Sequence, residues 1–433
     1  MSASWDVLGL GQVGGSGGAE AMVDMAAAVD DSVLERLHAE KGARKIIGVE
    51  ERTAVLEGLD GEAYQVCAGG SLSNTLMALA RLGQAAGARG GRPLRVAMAG
   101  VCGEDALGSF YAAQMRKAGV EVLSEPVPGA NTGTVVVLTS PDAQRTMLSY
   151  LGTPCQVPLD ARLEAAIARS RVLVVEGYLW ELPGAAEAIG KAIEAAQKHG
   201  TIVAMTAGDA GVVERHHSEM WQAIDRGIDL LFTNRTEAEA LCKYLPAQQQ
   251  QQQQQQQSAE APQQQHQGAL DSVLKTLDLD SLDGHPHHHH SKSSGSHAGG
   301  VCSAAEAAAL RLGPHCSLVV VTDGSAGSHL TALGQLHTVP PCWAPTKPVD
   351  TCGAGDGYAA GLLYGFLRGF DVASMGRVGA RVASAVISHI GSALSDAQAD
   401  ALVEHLPLGA DRSALRRVNT TPDQQQQQQV DTK

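Results

Sequence analysis

An α/β fold, with a mostly parallel sheet covered by helices on both faces, is what this 433-residue sequence predicts. Three observations predict it. Short, almost wholly apolar runs recur along the chain, stretches of helical Ala/Leu pattern separate them, and glycine or polar residues close each run. Strands that are apolar on both sides, joined by helical crossovers, belong to parallel sheets buried from both faces. A hydrophobic content of 44% supports a substantial core, and with aromatics at 3% that core is built from Ala, Val and Leu.

The elements run in order along the chain. "DVLGLG" (Asp6–Gly11) is a strand, and "RVAMAGVCG" (Arg95–Gly103) is a strand running into a loop. "GSFYAAQMRKAGV" (Gly108–Val120) is a helix and "GTVVVLTS" (Gly133–Ser140) a strand. "SRVLVVEGYL" (Ser170–Leu179) and "TIVAMTAG" (Thr201–Gly208) are short buried strands, joined by the Ala-rich helix "GAAEAIGKAIEAAQKHG". "GIDLLFTN" (Gly227–Asn234) and "CSLVVVTDG" (Cys316–Gly324) complete the set, and a helix runs from Asp356 onward. Open sheets of this kind bind ligands at the carboxyl ends of their strands. Here those ends carry Thr233-Asn234, Thr322-Asp323-Gly324 and, past a loop, the Asp350 stretch.

Three stretches stand apart. "GGSGG" (Gly14–Gly18) reads as linker and belongs to an insert spanning Val13–Glu20. Residues 247–300 hold ten consecutive glutamines (Gln248–Gln257), a second Gln cluster and the His tract "HPHHHH". Residues 419–433 hold a further Gln run, Gln424–Gln429. Such tracts bury too little apolar surface to offset the entropy of ordering them, so disorder is expected for all three. The His tract lacks the fixed surroundings of a functional metal site and is read as low complexity.

Several function classes drop out. The formal charge of −14 and the lack of any Lys/Arg run argue against a nucleic-acid partner. No apolar run approaches the ~18 residues of a membrane span. The eight cysteines contain no C-x-x-C pair and read as reduced thiols, and the first strand starts by Asp6, so a cytoplasmic location is expected. Gly9, Gly11 and Gly14 spell G-x-G-x-x-G, the spacing of a dinucleotide-binding turn. That turn requires a second strand ending in an acid about 20 residues on. The chain instead continues into the charged, helix-like "DDSVLERLHAEKG", so the match is read as accidental.

The chemistry concentrates in "KPVDTCGAGDGYAAGLLYGFLRG". Gly353, Ala354 and Gly355 lead straight into a helix, so their N–H groups form an anion site by geometry and by dipole. Asp356 comes at once after them. A carboxylate beside an anion hole is what phosphoryl transfer to an alcohol requires: the N–H groups steady the moving charge and the carboxylate takes the hydroxyl proton. Seen alone, the same residues are equally a loop with an acidic helix start, and Asn234-x-x-Glu237 is equally a helix cap.

Together these motifs resemble the ribokinase-like, or pfkB-type, carbohydrate kinases. "DTCGAGD" resembles the family's C-terminal motif and "AGGSLSNTLMALARLG" (Ala68–Gly83) its N-terminal one. "AGVCGEDALG" (Ala99–Gly108), "NRTE" (Asn234–Glu237) and "VVVTDGSAGS" fall between them in the family's order. The resemblance covers nearly the whole chain outside the low-complexity tracts, with the order "MVD…VDDSVLERLHAEKG" most like the adenosine-kinase-like branch. It implies a ribokinase-like domain over 1–246 and 301–418, with a small β lid from about 22–66 and 120–150.

It also implies roles. Asp356 is the general base, with Gly353, Ala354 and Gly355 as anion hole. Asp24, Gly69, Gly70 and Asn74 bind substrate, although the Val13–Glu20 insert lies close to Asp24 in sequence. Thr322, Gly324, Gly327 and Asn234 lie along ATP, and Glu237 holds Mg²⁺ through water. Asp350 and "GSA" (Gly391–Ala393) fall where many members bind a monovalent cation such as K⁺. "NTGTVVVL" and "QRTMLSYLG" are read as paired lid strands, with Arg145 a solvated strand residue or one reaching a phosphate. Tyr150, Tyr178 and Trp180 are candidate walls for a nucleobase. The expected activity is ATP-dependent phosphorylation of a primary hydroxyl on a sugar or nucleoside, by a monomer or homodimer. The alternative is a catalytically silent kinase fold acting as a binding scaffold.

Overall fold

The structure, a computed structural model, describes residues 5–11, 22–60, 63–142, 144–152, 159–182, 184–245, 302–342 and 348–406. The expected insert at 13–20, the Gln/His-rich segment 247–300 and the tail 419–433 lie outside the described residues.

Fourteen strands form two sheets among the described residues. The larger holds β1 (Trp5–Leu10), β5 (Val96–Ala99), β6 (Val120–Val122), β9 (Ser170–Val175), β10 (Ile202–Thr206), β11 (Leu230–Asn234), β12 (Leu318–Thr322), β13 (Ser328–Ala332) and β14 (Gln335–Val339). Their spatial order is β14-β13-β12-β11-β10-β9-β1-β5-β6. Every pair from β6 to β12 is parallel, and the β12-β13-β14 edge is antiparallel.

The strand sequences explain this arrangement. In β9, Val172 and Val174 pack into one core while Leu173 and Val175 pack into a second. The first core is shared with the helices Ser71–Ala88, Ala354–Arg368 and Val372–Val386. The second is shared with Ala185–His199, Ala210–Gly227, Arg235–Lys243 and Ala304–Leu312. A strand covered on both sides has no face left for polar residues, which is why these runs are continuously apolar. The polar residues wait at the strand ends.

The second sheet has the order β3-β8-β7-β2-β4 and comprises β2 (Met22–Ala28), β3 (Arg44–Ile46), β4 (Tyr64–Gly69), β7 (Gly133–Thr139) and β8 (Arg145–Tyr150). Strands β7 and β8 alternate buried and half-buried residues, and Val136, Leu138, Leu148 and Tyr150 pack with Val33, Leu34, Val55 and Leu59 in a separate small core. Two boundaries differ from the expected lid. Val120–Val122 pairs with β5 in the large sheet, because it continues the Ala106–Lys117 crossover helix. The first lid segment extends past Val66 to Gly69, since β4 stays paired with β2 as far as Met22.

The apparent dinucleotide fingerprint dissolves into packing. A side chain at Gly9 would meet Leu72 and Leu76 of the helix Ser71–Ala88, and Gly11 donates its N–H to Ala99 O at 2.7 Å against Gly100. Both glycines bring neighbouring elements close. The next described strand after β1 joins the other sheet, so no βαβ unit starts here.

Candidate active site

Four parallel strands deliver residues to one pocket at their carboxyl ends: Glu176 after β9, Thr206 at the end of β10 with Gly208 just past it, Thr233 and Asn234 from β11, and Thr322 from β12. Gly355 and Asp356 line the same pocket, with Ser71 and Thr75.

Asp356 sits in the first turn of the helix Ala354–Arg368, whose leading N–H groups lack partners within the helix. Gly353 caps that helix at φ +72°, a left-handed conformation, and Gly355 faces open space. The Asp356 carboxylate is held from the facing helix: Ser71 Oγ donates to Oδ1 at 2.7 Å and Asn74 Nδ2 to Oδ2 at 3.0 Å. Thr75 Oγ1 donates to the Asp356 carbonyl at 3.3 Å. Burial pushes this carboxyl above its ordinary range, and the Ser71 and Asn74 hydrogen bonds pull the other way.

The other acids share its environment. Burial first, and the neighbouring Asp356 charge second, push Asp24 up to about 7. A side chain at Gly69 would collide with the Asp24 carboxyl, so the glycine leaves room for that group between β2 and β4. Gly70 turns the chain at φ +92° into the helix that carries Ser71 and Asn74. Glu176 is pushed to about 7 by burial, opposed by the Thr206 hydroxyl at 2.6 Å, with the Asp356 charge adding to the rise. Glu237 also rises to about 7, from burial first.

Asn234 and Glu237 form a reciprocal capping box: Asn234 N–H donates to Glu237 Oε2 at 2.8 Å, and Glu237 N–H to Asn234 Oδ1 at 2.9 Å. The helix-cap reading is therefore realised in the same residues that line the pocket. Thr322 also lines it, whereas Gly324 and Gly327 lie in the turn beyond, between β12 and β13. Asp24 and Gly69 lie on the paired strands β2 and β4 of the second sheet, and Gly70 comes directly after them, ahead of the Ser71 helix.

Asp350 lies apart from a simple cation shell. Its Oδ1 accepts from Cys352 N–H at 2.9 Å and stands 3.0 Å from Arg145 Nη1 as an ion pair, and its Oδ2 accepts from Gly391 N–H at 3.0 Å. Arg145 is thus a partner of this loop and not a solvated strand residue. Of the candidate nucleobase walls, Tyr150 packs in the core of the second sheet, Trp180 packs in the second core of the large sheet, and Tyr178 is exposed.

Sequence reasoning missed Ser71, Glu176 and the Thr206–Gly208 turn. Glu176 carries a legible signal, as the one acid closing the apolar run "RVLVV" at a strand's carboxyl end.

The raised acids set a pH dependence. Glu176 titrates freely near 4.5 in the unfolded chain and near 7 in the folded one, so between those values the unfolded state releases its proton first. Folding stability contributed by this group is lost as pH rises across that window. Glu176→Gln is expected to match the parent near pH 5 and to unfold at a higher temperature near pH 8, by roughly 2 °C or more. Thermal unfolding at the two pH values checks it; an equal offset at both pH values contradicts it.

Known proteins supply the context for this geometry. A 75-residue stretch is 43% identical to an uncharacterized sugar kinase of Archaeoglobus fulgidus, covering 17% of this chain and 29% of that protein. An 88-residue stretch is 35% identical to a nucleoside kinase of Methanocaldococcus jannaschii, covering 20% and 29%. The chain thus matches less than a third of the length of these curated relatives. Among solved structures, the adenosine kinase of Sinorhizobium meliloti superposes with a TM-score of 0.66 at 27% identity, over 93% of this chain and 100% of that one. The sequence pattern of the pfkB family carbohydrate kinases matches residues 43–280 and 296–399, well over half of the sequence, and the chain belongs to that family.

Proposed function

We propose that this protein transfers the γ-phosphoryl group of ATP to a primary hydroxyl of a sugar or nucleoside, with Asp356 as the general base. The observation that carries the proposal is Asp356 itself: a carboxylate in the first turn of a helix, beside the N–H groups of Gly353–Gly355, fixed by Ser71 and Asn74. An acceptor hydroxyl entering between Asp24 and Asp356 would give its proton to Asp356. The N–H groups at the helix start would meet the charge that develops on the transferring phosphoryl group. Burial raises the basicity of Asp356, which suits proton abstraction better than an ordinary solvated carboxylate would.

Substrate would lie against Asp24, Gly69, Gly70 and Asn74, and the nucleotide along Asn234, Thr322, Gly324 and Gly327. The residues present fit Mg²⁺. Glu176 Oε2 is buried at the pocket wall without a hydrogen-bond partner among the described residues, and Glu237 lines the same pocket with each oxygen accepting from Asn234. A hard cation that keeps several waters suits such oxygens, and when bound it neutralises charge on the triphosphate. The second sheet would close as a lid and keep water from competing with the acceptor. No helix among the described residues is long and apolar enough to cross a membrane, and the described cysteines are all free thiols, which supports work in the cytosol.

The test is ADP release from the purified protein with Mg-ATP across a panel of sugars and nucleosides. ADP release that depends on one panel member is expected and names the substrate. Bound ATP with silence across the panel would overturn the reading in favour of a silent scaffold.

A further inference from the structure

The family resemblance implies a monovalent cation at Asp350 and Gly391–Ala393, and the residues present do not fit one. Both Asp350 carboxylate oxygens already accept hydrogen bonds, from Cys352 N–H and Gly391 N–H, and a full positive charge stands on Oδ1 in the form of the Arg145 guanidinium. The same guanidinium reaches on with Nη2 to donate to Thr351 Oγ1 at 2.7 Å. Of the three carbonyls in Gly391–Ala393, that of Ala393 pairs with His389 Nε2 at 2.9 Å. A metal cation needs oxygens with free lone pairs pointing at one centre, and here it would meet a like charge at the principal ligand.

We infer that Arg145 is the resident cation of this loop, and that the protein binds no monovalent cation at Asp350. Arg145 opens β8 of the second sheet, while Asp350 and Thr351 lead directly into the anion-hole turn at Gly353. One side chain therefore neutralises Asp350 and ties the phosphate-facing loop to the second sheet. Both partners are only partly exposed, at 27% and 18% for the two side chains, and the guanidinium makes one ion pair, to Asp350, and one hydrogen bond, to Thr351. That arrangement holds position better than a solvated surface pair does. Arg145 is a positioning residue: it acts through the loop that carries Gly353–Gly355.

The test compares thermal unfolding of the full chain in KCl and in tetramethylammonium chloride at equal ionic strength. The wild type is expected to unfold at the same temperature in both, within about 1 °C. Arg145→Ala and Asp350→Ala are each expected to lower the midpoint by about 2 °C or more, and the double variant no further than the worse single one. A K⁺-dependent rise of several degrees in the wild type would overturn the inference, as would additive losses in the double variant. The salt comparison on wild type needs no variant and stands even if a variant fails to fold. A kinetic arm rests on the kinase reading: turnover in K⁺ and in tetramethylammonium should agree within about twofold, while Arg145→Ala should lose about tenfold or more. Because unfolding is read without substrate, absence of kinase activity and failure of this inference remain distinguishable.

Discussion

Asp356→Asn is expected to lower turnover by ~10²-fold or more while ATP binding and folding are retained. The substitution is nearly isosteric, and both hydrogen bonds survive it. The Asn side-chain NH₂ can donate to Ser71 Oγ, and its carbonyl can accept from Asn74 Nδ2, where the carboxylate accepts from both today. What is lost is the capacity to take a proton. A hundredfold loss corresponds to about 2.7 kcal/mol of transition-state stabilisation. Burial disfavours the Asp356 charge, so its removal should leave the ligand-free protein as stable as the parent, or more so, at pH 8. Steady-state turnover beside thermal unfolding checks both halves. Retained turnover would mean that another group removes the proton.

Gly353→Ala is expected to damage the same site through the backbone. Gly353 adopts φ +72°, and a methyl group there would lie 2.7 Å from the carbonyl oxygen and Cβ of Ser392. The left-handed conformation alone costs an L-residue roughly 1–2 kcal/mol. The contact adds to it, since Ser392 is buried in the segment whose Gly391 N–H binds Asp350. The turn must then move away from Ser392 and carry the Gly355 and Asp356 N–H groups with it. Turnover should fall about tenfold or more and the unfolding temperature should drop by roughly 2 °C or more. Gly355→Ala is the control, because a methyl group there meets only open space and should leave stability unchanged. If Gly353→Ala leaves both turnover and unfolding unchanged, the turn does not need its left-handed cap.

The motifs of the proposed site were legible because each binds a residue type to a backbone event. A glycine before a helix, with Asp356 close behind it, marks where an anion site and a base are proposed. The buried strands were legible for the same reason, as apolar runs with nowhere to place a polar residue. Ser71 and Glu176 were less so. Ser71 is one small polar residue among several on its helix, and only the packing of that helix against the Asp356 helix selects it. Glu176 closes its strand without a surrounding motif. Tyr150 and Trp180 are the flat rings a nucleobase slot would want, and sequence alone does not separate that role from the core packing they show. Arg145 and Thr351 stand 206 residues apart in sequence, and nothing local to either announces the other.

Transfer of the phosphoryl group is the most direct measure of the account. With γ-labelled Mg-ATP and the acceptor panel, mass spectrometry tracks where the label goes. The expected result is label in the phosphate monoester of a sugar or nucleoside, lost in Asp356→Asn. Label that stays in ATP, or appears only in inorganic phosphate while nucleotide is bound, would contradict a kinase built around Asp356.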